Sequence, residues 1–334
     1  VMWFAAGTAL FLMTYIVYSR IKIWDRLLYF YIAASFVLFL VTLLFGKNIR
    51  GSTNWIVIHG YSFQPSELVK ILFILFLACG YSHPEDLIPW RLRPYLTRWK
   101  IGSNAVLAAI TFMNIGFLIL QQEWGTAVLF FLIYIIMLYV YEDNIRFLLV
   151  NAGIAVAGIL AGYIFVYHIR VRVDTWLNPW TDIAGKGYQI AQSLFAIGNG
   201  GFFGTGIGLG RPDLIPEVNT DFIFSAICEE MGIFGGVAVV LLYFILSYRG
   251  FKIVMTVRNN FEKTVALGVT VMFGLQTFII IGGVIKLIPL TGITLPFISY
   301  GGSSLTTSFI ALGILQAISG GASSKERSKA NEGK

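Results

Sequence analysis

Few residues in this 334-residue chain can do chemistry, because only 12% are charged. Those few gather at a small number of joints. Asp221 stands in Pro216-Glu-Val-Asn-Thr-Asp-Phe-Ile-Phe, with Thr220 placed to cap a helix and Asp221 in its first turn. A carboxylate there suits either a general base or plain pairing with the helix dipole. Asp221, Ser225 and Glu229 recur at every fourth position and would share one helix face, with Glu229 and Glu230 at the edge of an apolar run. Ser66 is a candidate cap for another helix, in which Glu67 and Lys70 are three residues apart. They can pair with each other, or Lys70 can receive an anion. Glu123 lies in Gln121-Gln-Glu-Trp-Gly-Thr, a polar joint with almost no loop, where it would face water or a cavity. Arg170 and Arg172 follow His168 in alternation with apolar residues. They can snorkel to lipid headgroups or clamp a phosphate.

Other chemistries are excluded. The glycine run at 198–210, GNGGFFGTGIGLG, lacks the Lys-Ser/Thr ending of a nucleotide-binding loop. Its glycines serve tight turns and close backbone approach. His59, His83 and His168 have no zinc spacing, and Cys79 and Cys228 sit singly in apolar runs as small core residues.

The elements that must position these side chains are membrane helices. Apolar residues make up 57% of the chain, roughly two-thirds with the 35 glycines included, and mean hydropathy is +0.77. That excludes a soluble enzyme, a disordered protein and a disulfide scaffold. Nine apolar runs are long enough to cross a bilayer as helices: 1–19, 27–45, 66–82, 102–120, 124–141, 146–167, 229–248, 264–285 and 300–319. None alternates with period two, so a β-barrel is excluded. The nine prolines fall near or outside the run ends, and the eight tryptophans sit near span ends or in loops, as an interfacial belt requires. The expected fold class is all-α, a polytopic membrane protein with one transmembrane domain over 1–319 and a polar, disordered tail at 320–334.

The net charge of +7 sorts by side. Of the 24 basic residues, sixteen fall in one set of loops and the tail, which the positive-inside rule assigns to the cytoplasm. An odd span count then puts the start of the chain outside, and one preceding helix is the simplest expectation. The other side carries a loop at 168–228, with Arg170, Arg172, Asp174, Asp182, Lys186, Arg211, Asp213, Glu217 and Asp221 beside the glycine run. A loop of that length carries function. Carboxylates and cations meeting at an outer leaflet suit a lipid-linked phosphate, for an enzyme or for a transporter.

Several segments together resemble one family. They are Gly51-Ser-Thr-Asn-Trp-Ile with Phe63-Gln-Pro-Ser-Glu-Leu-Val-Lys, Gln122-Glu-Trp-Gly-Thr-Ala, and Gly185-Lys-Gly-Tyr-Gln-Ile-Ala-Gln-Ser running into Ala196-Ile-Gly-Asn-Gly-Gly. Pro216-Glu to Thr220-Asp-Phe-Ile-Phe with Glu229-Glu230, and Leu295-Pro-Phe-Ile-Ser-Tyr-Gly-Gly-Ser-Ser, complete the set. In this order they are similar to the shape, elongation, division and sporulation proteins of the RodA, FtsW and SpoVE type. Members have ten helices, and this chain resembles the second to the tenth. Where the family reads Gln-Pro-Asp, this chain has lost the proline and carries Glu123, one methylene longer.

The resemblance implies a peptidoglycan glycosyltransferase. It would polymerise lipid II at the outer face of the bacterial cytoplasmic membrane, beside a class B penicillin-binding protein that crosslinks the strands. The family's essential aspartate maps onto Asp221. The expected roles are Asp221 as general base, Arg170, Arg172 and Lys70 around the pyrophosphate, Glu67, Glu123 and Glu229 shaping the cavity, and Gln189, Gln192 and Ser193 on sugar hydroxyls. Undecaprenyl pyrophosphate would leave. No organic cofactor is called for, and a divalent cation, magnesium or manganese, would bridge the leaving group. Nucleic acid is not an expected partner. Two competing readings use the same residues: a lipid II flippase, and a scaffold that recruits the synthase without catalysis.

Overall fold

The structure is a computed structural model and describes residues 2–49, 52–58, 60–89 and 102–332. Eleven helices of more than one turn occur among them. These are α1 (Met2–Arg20), α2 (Leu28–Phe45), α3 (Pro65–Ser82), α4 (Ser103–Leu120), α5 (Trp124–Tyr141), α6 (Ile145–Phe165), α7 (Tyr167–Leu177), α8 (Tyr188–Gly200), α9 (Ile223–Thr256), α10 (Asn260–Val284) and α11 (Gly302–Glu332). All but α7 and α8 are long and apolar enough to cross a membrane. The nine expected spans are therefore present, and the all-α membrane architecture holds.

The chain divides into two compact units. The first takes in Val1–Tyr141, Ser247–Met272 and Gly302–Lys334, the second Glu142–Leu246 and Phe273–Gly301. In the first unit α3 is the hub. It is buried on nearly every face, from Pro65 and Ser66 through Gly80. Phe73 stacks on Phe130 of α5 at 4.5 Å, and Gly80 makes room for Leu107 of α4, which an added Cβ would meet at 2.5 Å. α1 and α11 meet through small residues. Gly7 lies under the Phe309 ring, Gly302 under Trp3 and Gly313 against the Phe11 backbone. Without water to drive association, such close approach is what holds membrane helices together.

A three-stranded antiparallel sheet interrupts the helices: β1 (Lys47–Ile49), β2 (Ser52–Ile58) and β3 (Tyr61–Phe63), in that order. β2 and β3 turn at Gly60 (φ 85°). The backbone N–H of Thr53 donates to Gln121 O at 3.2 Å, which ties the sheet to the α4–α5 joint.

In the second unit, α6 exposes most of its circumference, including Leu149, Val150, Val156, Ile159 and Ile164, as a lipid-facing span does. The long loop expected at 168–228 is largely folded. It contains α7, α8 and single 3₁₀ turns at Pro179–Asp182 and Pro212–Leu214. Thr175 back-bonds to Val171 O within α7, and Trp176 Nε1 donates to Lys286 O. At the other end of the chain, α11 runs on to Glu332, so the tail expected to be disordered from 320 is helical as far as that residue. Its Ala, Ser, Lys and Glu residues propagate a helix that the preceding span has already nucleated.

Candidate functional site

Asp221 is not in a first helical turn. α9 begins at Ile223, and Asp221 closes a turn in which its N–H and that of Thr220 both donate to Glu217 O. Thr220 Oγ1 also donates to Glu217 O, so it caps nothing. The physical reason is competition. The Thr220 carbonyl accepts from Ser299 Oγ (2.5 Å), and the Asn219 carbonyl from Tyr300 N–H (2.7 Å). The loop Leu295–Tyr300 thus holds the two residues before Asp221 in the turn that precedes the helix. Ser299 Oγ accepts from Leu295 N–H (2.8 Å) as well, which closes the loop on itself. Tyr243 of α9 donates to Pro296 O, and Gln276 of α10 donates to Thr294 O at 2.8 Å.

The cation beside Asp221 is Arg172. Its Nη1 donates to Thr291 O (2.8 Å) and to Leu290 O (3.4 Å). Asp221 Oδ2 and Arg172 Nη2 each lie 3.5 Å from where a Gly292 Cβ would stand, and Gly292 has φ 74°. A Cβ at 292 would be in ordinary contact with both, and the positive φ is what favours glycine there. Removal from water lowers the Arg172 pKa, and the Asp221 charge acts against this by raising it. His168, on the same helix, is also pushed down, by desolvation first and by Arg172 second.

The other expected residues of this unit take varied places. Arg170 turns back on α6, with Nη2 to Ile164 O at 2.6 Å and its guanidinium 6.0 Å from the Tyr163 ring. That is a helix C-terminus cap. Ser193 is fully buried, 2.6 Å from Ser225 Oγ, and donates to Val284 O at 3.4 Å. It holds α8 against α9 and α10. Gln189 and Gln192 lie half-buried on α8. Glu229 is buried, and its Oε1 accepts from Arg211 N–H at 3.1 Å. Since Asp221 precedes the helix, the shared face of Asp221, Ser225 and Glu229 reduces to the last two.

The first unit carries a separate polar cluster. Glu67 and Lys70 form a buried ion pair at 2.8 Å, and Thr307 Oγ1 donates to Glu67 Oε2 at 3.2 Å. Pro65 opens α3 and Gln64 is its N-cap residue, so Ser66 is not the cap. Gln64 N–H donates to Ser303 Oγ, and Gln64 Nε2 donates to Glu123 Oε1 at 3.3 Å. Burial raises the Glu123 pKa, against smaller lowering effects of Ser66, Gln64 and Asn54. Gln122, at the family's proline position, has φ 61°. A proline ring fixes φ near −65°, so this turn is closed to the family residue.

Sequence reasoning missed Gly292, Ser299, Tyr300 and Gln276 as the frame of Asp221. Three of these lie in or beside the Leu295–Ser304 segment already singled out for its resemblance, but nothing in their spacing says what they touch.

This is a multi-span membrane protein with an aspartate–arginine pair framed by two loops, and comparison with known proteins sets it in a family. Residues 1–324 match the cell cycle protein family of FtsW, RodA and SpoVE, and the chain belongs to that family. It is 38% identical over 275 residues to a Mycobacterium tuberculosis protein named peptidoglycan glycosyltransferase RodA, covering 82% of this chain and 59% of that one. The chain thus spans about three-fifths of the mycobacterial relative. It is 35% identical to stage V sporulation protein E of Bacillus subtilis, covering 93% and 83%. Among solved structures, it superposes with a TM-score of 0.76 and 26% identity on a chain from a peptidoglycan synthase complex, described as structural coordination of polymerization and crosslinking, covering 96% and 89%. The Thermus thermophilus rod shape determining protein RodA gives 0.64 and 26%, covering 95% and 86%.

Proposed function

We propose that the protein is a peptidoglycan glycosyltransferase that polymerises lipid II at the outer face of the cytoplasmic membrane. Asp221 takes the proton from the GlcNAc 4-hydroxyl of the acceptor. That oxygen bonds to the anomeric carbon of the growing strand's reducing-end MurNAc, and the bond from that carbon to the pyrophosphate oxygen breaks. Undecaprenyl pyrophosphate leaves with the electron pair, and α configuration becomes β. The sugar carries oxocarbenium character in the transition state.

The observation that carries the reading is the Asp221–Arg172 pair, framed by the hydrogen bonds from Arg172 to Thr291 O and from Ser299 Oγ to Thr220 O. A base held by its backbone neighbours costs little reorganisation, and an adjacent guanidinium suits a pyrophosphate whose negative charge grows as it leaves. Arg170 is engaged with its own helix end, so the cationic role falls to Arg172. The Glu67–Lys70–Glu123 cluster is proposed as a further substrate contact, to be tested on its own.

Among the described residues, no group of three or more His, Cys, Asp or Glu side chains is placed to hold a metal. A magnesium or manganese ion would therefore take most of its ligands from the pyrophosphate and water. No step above depends on it. The proposed partner is a class B penicillin-binding protein, and the proposed topology places the 166–222 segment outside and the C-terminus in the cytoplasm.

The test is polymerisation of purified lipid II by the full-length protein, with and without a class B partner. Wild type should make glycan strands, and Asp221→Asn should make none while expressing and folding normally. Strands from Asp221→Asn would overturn the base assignment. Lipid II scrambling in liposomes without polymer would favour the flippase.

A further inference from the structure

The glycine-rich run at 198–210 has no part in the mechanism above, yet the structure binds it tightly to a membrane span. α9 leaves helical geometry at Gly232 (φ 67°, ψ −168°). In an unbroken helix the carbonyls of Glu229 and Glu230 would accept from residues 233 and 234. Here they accept from Thr205 N–H (2.9 Å) and Gly206 N–H (3.0 Å) of the loop, and Ile233 N–H donates to Gly201 O (2.9 Å). The Thr205 hydroxyl adds a bond to Glu229 O at 3.1 Å. The loop thus replaces a missing piece of the helix ladder. Glycine permits this: a Cβ on Gly204 would strike Glu230 O, and one on Gly232 would strike Phe202 O.

Those bonds fix the loop's depth, at the start of the apolar stretch 231–248. Around them the loop turns large apolar side chains outward. Phe202 is 69% exposed, Phe203 85%, Ile207 80% and Leu209 75%. No charged residue interrupts the run. The Phe203 ring packs 5.7 Å from Phe234 of α9, itself exposed and followed by exposed Val237 and Leu241. The patch is therefore continuous with a face of a membrane span. Irregular backbone is tolerated at membrane depth where it is buried against protein, and Gly204, Thr205 and Gly206 lie against the Glu229–Gly232 backbone of α9. The N–H groups of Gly204, Thr205, Gly206 and Leu209 all have backbone acceptors.

We propose that residues 201–209 form a re-entrant anchor, with Phe202, Phe203, Ile207 and Leu209 among the acyl chains of the leaflet bordering the 166–222 segment. Backbone hydrogen bonds to the break in α9 hold it there. The occupant of the patch is bulk lipid, and the inference stands apart from the catalytic proposal.

The experiment uses the full chain in phosphatidylethanolamine–phosphatidylglycerol vesicles, with Cys79→Ala and Cys228→Ala as background. Nitroxide labels go on Phe203→Cys, Ile207→Cys and Leu209→Cys, with Leu241→Cys as a lipid reference and exposed Asp213→Cys as an aqueous one. At 203, 207 and 209, collision with the nickel chelate should fall to the Leu241→Cys level and collision with oxygen should rise to it. Readings that match Asp213→Cys would place the loop in water and overturn the proposal. Exclusion of both reagents would mean that protein covers the patch, and would overturn it too. The Ile207 and Leu209 labels leave the Phe203–Phe234 contact intact, so they report even where the Phe203 variant loosens the loop.

Discussion

Gly232→Ala tests the docking of the glycine loop with a single methyl group. At φ 67° and ψ −168° the residue occupies a region essentially reserved for glycine, and alanine there costs about 1–3 kcal/mol. The new Cβ would also collide with Phe202 O and come within 2.5 Å of Gly204 N. Both are backbone atoms, so the loop must retreat. Retreat breaks the bonds Ile233–Gly201, Thr205–Glu229 and Gly206–Glu230, each contributing about 0.5–1.5 kcal/mol net. Together these give a destabilisation of roughly 3–7 kcal/mol.

Two relatives of the change separate the contributions. Gly208 has φ 74° but open space around it, so Gly208→Ala should cost only the backbone strain, about 1–2 kcal/mol. Gly198 lies inside α8 with nothing near its Cβ position, so Gly198→Ala should stabilise by up to about 1 kcal/mol through helix propensity. Thermal unfolding in one detergent at a fixed scan rate should rank Gly198→Ala above the parent, then Gly208→Ala, then Gly232→Ala well below. If Gly232→Ala melts with Gly208→Ala, the loop is not docked as described.

Three further changes probe the polar sites. Burial raises the Glu123 pKa, so the stability associated with its neutral form is present at acid pH and is lost as pH rises past the ordinary glutamate value. Glu123→Gln should flatten this slope, matching the parent in acid and exceeding it in mild alkali; parallel melting curves across pH would count against the assignment. Arg172→Lys keeps the charge but not the planar guanidinium whose Nη1 reaches two carbonyls, so polymerisation should fall by roughly 10–100-fold with the melting temperature nearly unchanged. Wild-type turnover in that variant would remove Arg172 from the site. Ser193→Ala takes the 2.6 Å partner from the buried Ser225 hydroxyl, a cost of about 1–3 kcal/mol, and Ser225→Ala should cost less because Ser193 keeps Val284 O. The double variant should cost less than the sum of the two, and strict additivity in that cycle would show that the hydroxyls are not coupled.

What the sequence disclosed follows from the range of the forces involved. Spans are local, since each is a run of apolar residues long enough to cross, and all nine were readable. The Glu67–Lys70 pair was equally local, because three residues on a helix set the distance. The sheet at 47–63 had a signal too, with Thr53 and Ile56–Ile58 β-prone and Gly60 free to turn, but the strands are short and lie beside much longer apolar runs.

Asp221 shows where such reading stops. Thr220 before an apolar run is a sound helix-start signal, and it placed the helix start two residues too early. The Thr220 carbonyl is taken by Ser299, 79 residues away, and the Asn219 carbonyl by Tyr300. Once those acceptors are committed to the 295–300 loop, the segment stays in a turn and the helix starts later, at Ile223. The same long-range contacts that hide the start of the helix from sequence therefore hold the carboxylate clear of it. Inside a regular first turn, the backbone before Asp221 would be directed by the helix alone. Outside it, Ser299, Tyr300 and Gly292 set where the carboxylate stands relative to Arg172. A proline at 299, which removes both the serine hydroxyl and the backbone donor, should disturb Asp221 more than any change to Thr220's own side chain.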